Sequence, residues 1–193
     1  MLTLIRHGES MANATGTLSG WQNVSLTLKG RSQAKAAGRQ LQGLSCSEVW
    51  CSDLIRARET AEIAMNIWKA DRTPMPPIYV RAALRERCMG ELQGLSKSML
   101  RRHNRLDVLK TWSKAPKLGE SFQQLSQRVF PCLEQIPSAS FVFAHGGVIR
   151  MILGVSQSVP PEEWMYWKIP NATPIAVKIP EEGWKNRVMQ LML

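Results

Sequence analysis

The chain has 193 residues, 44% of them hydrophobic and 21% charged, which is enough for one sizeable core and argues against disorder. No apolar run approaches the ~20 residues that a membrane-spanning helix needs. The formal charge of +10 directs attention to anionic partners (nucleic acid, membrane surface or phosphorylated small molecules) without choosing among them.

Residues 2–5 form a short apolar run, read as a buried strand that ends by presenting Arg6 and His7. A polar stretch to Gly20 reads as a loop. Thr27 can cap a helix running to Leu41, with Ala34, Ala37 and Leu41 on its buried side and Gly43 at its end. Residues 48–51 are strand-like. Ser52 and Asp53 then cap a helix whose Ile55, Ala61, Ala64, Met65 and Trp68 keep a helical period, and Pro74, Pro76 and Pro77 stop it. Residues 78–80 read as a third strand, 84–94 as a loop bounded by glycines, and 97–112 as a strongly basic helix.

Ser121 with Gln124 matches a capping box. The helix it opens carries Phe122, Leu125, Val129, Cys132, Leu133 and Ile136 in one stripe, and Pro131 should bend or shorten it. Residues 140–144 make the strongest buried-strand candidate, followed by His145-Gly146-Gly147 and a helix over 148–153. The tail offers two weaker strands, about 173–179 and 186–191. Trp164, Trp167 and Trp184 are either an interface or a tail packed on the core. Strands alternating with helices, several of them continuously apolar, predict an α/β fold with a mostly parallel central sheet. One domain over 1–193 is the simplest count, with the basic stretch 95–120 as a candidate lid.

The four cysteines (Cys46, Cys51, Cys88 and Cys132) form no C-x-x-C pair and no zinc-like spacing. Residues 1–20 lack the basic, apolar and small-residue parts of a secretion signal. The expectation is an unprocessed cytoplasmic protein with reduced thiols.

Only three histidines are present. His103 lies in Arg101-Arg102-His103-Asn104-Arg105 and reads as part of a solvated face. His7 and His145 share a context, apolar strand then His-Gly. In open α/β sheets, ligands bind outside the carboxyl ends of the strands. A single strand-end histidine usually just satisfies a hydrogen bond; two such units in one chain favour a site, provided their strands are neighbours.

Arg6-His7-Gly8-Glu9-Ser10 resembles the signature of the histidine phosphatase superfamily, which includes the cofactor-dependent phosphoglycerate mutases. Cys51-Ser52-Asp53-Leu54-Ile55-Arg56-Ala57, with Thr60-Ala61, resembles its second arginine segment. Leu84-Arg85-Glu86 with Gly90 and Gly94 resembles the loop of its catalytic acid, and Ala144-His145-Gly146-Gly147 its second histidine. The resemblance implies a three-layer α/β/α fold. It also implies a phosphohistidine intermediate on His7, Arg6 and Arg56 as phosphate clamps, Glu86 as proton donor, and phosphate contacts from Asn13, His145 and Gly146.

Residue chemistry supports the same roles. Phosphoryl transfer is mostly positioning and charge compensation. Arg6 and Arg56 offer forked, always-charged donors, and a neutral imidazole can attack phosphorus and split one displacement into two. Met89 stands where mutases of this family carry a tyrosine, and the chain is shorter than those mutases between Glu86 and His145. Gly119-Glu120-Ser121-Phe122 and His145-Gly146-Gly147-Val148-Ile149-Arg150 resemble small phosphatases of the alpha-ribazole phosphatase type. The expected activity is therefore phosphomonoester hydrolysis on a small phosphorylated substrate, without metal or cofactor. A phosphoglycerate-type mutase is the alternative. Nucleic-acid binding is disfavoured because Trp112 is the sole aromatic interleaved with the basic residues of 95–117, and no membrane partner is expected.

Overall fold

The computed structural model describes residues 1–69 and 74–191. Its strands are β1 (Leu2–Arg6), β2 (Val49–Ser52), β3 (Ile78–Arg81), β4 (Phe141–Ala144) and β5 (Pro174–Val177). They form one sheet in the order β3-β2-β4-β1-β5. The first four pair in parallel, and β5 runs antiparallel along β1. All four positions of both β2 and β4 are buried, as parallel strands covered on both faces require.

The helices are α1 (Met11–Ala14), α2 (Leu28–Leu41), α3 (Ile55–Lys69), α4 (Lys97–Arg102), α5 (Phe122–Leu133), α6 (Gly146–Ser156), α7 (Pro161–Trp164) and α8 (Trp184–Leu191). One apolar layer joins Ala37 and Leu41 of α2, and Ala61 and Met65 of α3, to Val49, Cys51, Phe141 and Phe143 of the sheet. The other joins Leu125 and Val129 of α5, Ile149 and Ile152 of α6, Trp164 and Trp184 to Leu2, Leu4 and Val142. Alternate strand residues thus face opposite layers, which gives the expected three-layer α/β/α arrangement. No helix among the described residues is long and apolar enough to cross a membrane.

Local chemistry accounts for most boundaries. Thr27 accepts from Gly30 N–H to cap α2, and the Ser121/Gln124 capping box opens α5. Pro131 stays inside α5, which ends two residues later. All four cysteines are free.

Three expectations need correction. The predicted helix over 97–112 is only the short α4 and a separate 3-10 turn at Asp107–Lys110. Asn104 between them has φ 51°, a left-handed conformation that asparagine tolerates and that ends a helix. The predicted strand over 186–191 is α8. Trp184 stacks on Phe130 at 5.7 Å and Val188 packs against the same layer, a spacing of four that suits a helix and not a strand. Ile55, assigned to the buried side of its helix, is exposed, and Arg56 is buried in its place. Of the three tail tryptophans, Trp164 and Trp184 are wholly buried and Trp167 packs against the core.

Candidate active site

β1 and β4 are neighbours, with Arg6 opposite Ala144, so both strand-His-Gly units end together at the carboxyl edge of the sheet. The rings of His7 and His145 lie 5.2 Å apart between centroids, tilted by 59°, and both are buried. His7 Nδ1 is 2.7 Å from Gly8 O. A carbonyl can only accept, so Nδ1 carries the proton and Nε2 keeps its lone pair. That lone pair faces Arg56 Nε at 3.3 Å. The His7 carbonyl accepts from Asn171 Nδ2 at 2.8 Å.

The turn after His7 is pressed against α2. A Cβ on Gly8 would collide with the Gly30 carbonyl, and one on Gly30 with the Glu9 carbonyl. Two backbones meet here at a separation that no side chain permits. Gly8 N–H donates to Thr60 Oγ1 at 3.0 Å, and that hydroxyl donates to Arg56 O at 2.7 Å. One α3 residue therefore ties the His7 turn to the arginine.

Arg56 is fully buried. It donates to Gln22 O and Gly20 O, both at 2.8 Å, besides His7. These acceptors carry no full charge. Burial lowers its pKa to about 10, with Arg6 adding to the fall and Glu86 opposing it. A desolvated guanidinium without a counter-charge is stabilised by an arriving phosphoryl group. Burial, Arg56 and Arg6 together push His7 well below the ordinary imidazole range, against its bond to Gly8. His7 is thus neutral at physiological pH, as a nucleophile must be.

Ser52, at the end of β2, lies 2.8 Å from His145 Nε2 through its hydroxyl. His145 Nδ1 is buried and has no partner among the described residues. In the tautomer in which Ser52 donates to Nε2, Nδ1 carries the proton. Burial, followed by Arg56, His7, Arg128 and Arg6, drives the His145 pKa well down, so this ring is neutral and not a counter-charge.

Glu86 Oε2 accepts from Gly147 N–H at 3.0 Å and Oε1 from Arg87 N–H at 2.8 Å. The carboxylate sits at the N-terminus of α6, where the helix dipole favours it. Its loop is held by Arg128. That guanidinium donates to Glu120 at 2.7 and 2.8 Å, Ala83 O at 2.7 Å, Arg85 O at 2.9 Å and Glu86 O at 2.9 Å. Trp21 Nε1 adds a bond to Glu86 O at 2.7 Å, and its ring lies under Arg85 and Arg128, 4.9 and 5.7 Å from their guanidinium carbons.

A cavity of about 380 Å³ opens in front of these groups and is lined by Arg6, His7, Asn13, Arg56, Glu86 and Gly146. His145 lies behind it, against His7. Asn13 Oδ1 caps α1 by accepting from Ser10 N–H. Arg6 Nη1 donates to Ile169 O at 2.6 Å, while its buried Nε has no partner among the described residues.

The structure thus brings together every residue that the sequence nominated. It adds Ser52, Thr60, Arg128 and Asn171, which hold the named groups in place, and Arg87, Lys97, Lys110 and Arg150, which line the same cavity. Arg87, Lys97 and Arg150 stand inside or beside the family-like segments, but a charged residue there reads equally well as surface. Asn171 carried no signal.

A neutral, oriented histidine facing a buried arginine, at the carboxyl edge of a mostly parallel sheet, defines an enzyme that handles phosphoryl groups. The chain belongs to the histidine phosphatase superfamily (branch 1), whose sequence profile matches residues 2–191. It is similar to the 2,3-bisphosphoglycerate-dependent phosphoglycerate mutase of Chlamydia pneumoniae, 29% identical over 224 residues that cover 98% of this chain and 96% of that protein. Among solved structures it is similar to a candidate alpha-ribazole-5'-P phosphatase from Escherichia coli, with TM-score 0.79 and 28% identity over 94% of this chain and 91% of that one. It is also similar to mycobacterial glucosyl-3-phosphoglycerate phosphatase in complex with VO3, with TM-score 0.78 and 25% identity over 90% and 88%.

Proposed function

We propose that the protein hydrolyses a small phosphomonoester through a phosphohistidine on His7. The observation that carries this reading is the His7 ring itself: Nδ1 is fixed on Gly8 O, and Nε2 is unprotonated beside Arg56. In the first step His7 Nε2 bonds to phosphorus and the ester P–O bond breaks. Glu86, carrying a proton, delivers it to the leaving oxygen. In the second, Glu86 takes a proton from water, the water oxygen bonds to phosphorus, and the P–N bond breaks to release inorganic phosphate. Arg6, Arg56, Asn13, His145 Nδ1–H and the Gly146 backbone surround the transferred group. Alpha-ribazole 5'-phosphate is the substrate proposed first, on the strength of the similar Escherichia coli structure.

Full-length similarity to phosphoglycerate mutases supports a second reading, in which bound product is rephosphorylated before water arrives. A panel of alpha-ribazole phosphate, 3-phosphoglycerate and nitrophenyl phosphate separates the two. Release of inorganic phosphate supports the hydrolase, and isomerisation of 3-phosphoglycerate the mutase. Incubation with a ³²P-labelled ester should give an acid-labile label on His7, and a label that persists in His7→Ala would defeat both readings.

A further inference from the structure

The group that departs from phosphorus lies on the side of its proton donor, so Glu86 fixes which wall of the cavity meets the leaving alcohol. Glu86 Oε1 accepts from Arg87 N–H at 2.8 Å, and the far end of Arg87 donates through Nη2 to Leu109 O at 3.1 Å. One arginine side chain thus reaches from the acid to the 3-10 turn at Asp107–Lys110. Within that turn Leu109 N–H donates to Leu106 O at 2.9 Å. Side chains three residues apart eclipse one another in a 3-10 turn, so Leu106 and Leu109 project together, and both line the cavity. Met89, Phe122 and Met165 continue the same apolar lining.

This wall stands in place without a ligand. Trp112 O accepts from Gln123 N–H at 3.0 Å, which fastens the chain just past the turn to α5. The Trp164 ring meets Trp112 and Phe122 edge-on, at 6.2 and 5.0 Å between centroids, and the Arg87 guanidinium lies 4.1 Å from the Phe122 ring centre. Lys110 of the turn is paired with Asp107 at 2.8 Å. Met89, where the mutases carry a tyrosine, contributes an adaptable thioether in place of a phenol. Met89, Leu106 and Leu109 are only half-buried, and covering their remaining apolar surface is favourable.

We infer that Leu106 and Leu109, with Met89, Phe122 and Met165, form an apolar slot for a ring carried by the leaving alcohol, and that the two leucines set this specificity. The inference rests on the phosphomonoesterase reading and narrows it to esters whose alcohol bears an apolar ring, a class that includes the aromatic base of alpha-ribazole.

The test compares kcat/KM, from phosphate release, for propyl, 3-phenylpropyl and 3-cyclohexylpropyl phosphate. Their leaving oxygens are alike in basicity and so place equal demands on Glu86. Each ring should raise kcat/KM over the propyl ester by about thirtyfold, as burial of a phenylalanine-sized group gives. In the double variant Leu106→Asn/Leu109→Asn that ratio should fall to about threefold. Leu109→Ala, which keeps the backbone bonds of the turn, should lower it by about threefold. Loss of folded protein slows all three esters together and leaves the ratio in place, so the ratio reads the slot and not stability. A wild-type ratio near one with all three esters hydrolysed overturns the slot and leaves the phosphatase reading standing. A ratio unchanged in both variants overturns it equally. A protein that hydrolyses none of the esters and takes no label on His7 overturns the phosphatase reading, and the slot with it.

Discussion

Replacing Arg128 by methionine tests how the Glu86 loop is held. Methionine keeps the apolar stem and removes the whole fork, which makes five hydrogen bonds. The carbonyls of Ala83, Arg85 and Glu86 lose a donor, and Glu120 keeps its bond from Cys88 N–H. Side-chain exposures of 21% for Arg128 and 16% for Glu120 place the ion pair between surface pairs, worth roughly 0–1 kcal/mol, and buried ones, whose disruption costs about 3–5 kcal/mol. With the Ala83 and Arg85 carbonyls deprived of this donor, and that of Glu86 kept only by Trp21 Nε1, a loss of about 3 kcal/mol is expected. At 2–4 °C per kcal/mol for a chain of this size, Tm should fall by about 6–12 °C in differential scanning calorimetry. Because Glu86 O is left with the Trp21 Nε1 bond alone, the Glu86 side chain is held less firmly and proton delivery should suffer selectively. Turnover of an alkyl phosphate should drop by about 10²-fold, the lower range for a lost general acid, and that of nitrophenyl phosphate much less. Arg128→Lys should recover part of the loss. A Tm within 2 °C of wild type, or equal slowing of both esters, would refute the clamp.

Glu86→Gln should slow alkyl phosphates far more than nitrophenyl phosphate, since only the former need protonation; uniform slowing argues that Glu86 is not the acid. His7 and His145 both sit below the ~6.5 of an unfolded histidine, so the unfolded chain binds more protons as pH drops. Their contribution to stability is complete above pH 6.5 and is lost as pH falls toward the folded values, at a slope of at most about 2.7 kcal/mol per pH unit for two sites. Tm measured between pH 4.5 and 8 should show this acid limb, and His145→Asn should halve its slope; an unaltered limb would exclude His145 as a contributor. Gly154 of α6 faces the Trp164 indole so closely that a Cβ would collide with it. Gly154→Ala should therefore destabilise by about 1–3 kcal/mol as overpacking does, contrary to helix propensity. Urea denaturation that finds a more stable variant would disprove that packing.

The two histidine stations could be read from sequence because each is contiguous, an apolar strand followed by His-Gly, and needed only one fact from the fold, the adjacency of β1 and β4. Thr27 and Ser121 are legible for the same reason, since a cap and its helix are a few residues apart. Ser52 on His145 and Asn171 on His7 span 93 and 164 residues, and no local pattern encodes such pairs. Arg56 shows a second limit. Periodicity places Ile55 inside and arginine outside, but a buried cation is tolerated because Gly20 O, Gln22 O and His7 take its protons. The misread tail follows from a short amphipathic stretch whose apolar residues fit two periods until Trp184 finds Phe130.

The contact between Gly8 and Gly30 bears on how this protein can change. Gly30 is the third residue of α2, and alanine would be preferred there by about 1 kcal/mol on helix propensity alone. A stabilisation campaign that converts helical glycines to alanine would choose this site early. It would drive a methyl group into the Glu9 carbonyl and shift the turn that aims His7, lowering activity without altering any residue that lines the cavity. The two glycines therefore behave as a single unit: neither tolerates a side chain while the other stretch of backbone stays where it is. A weak point in one helix is what lets the His7 ring stand where it does.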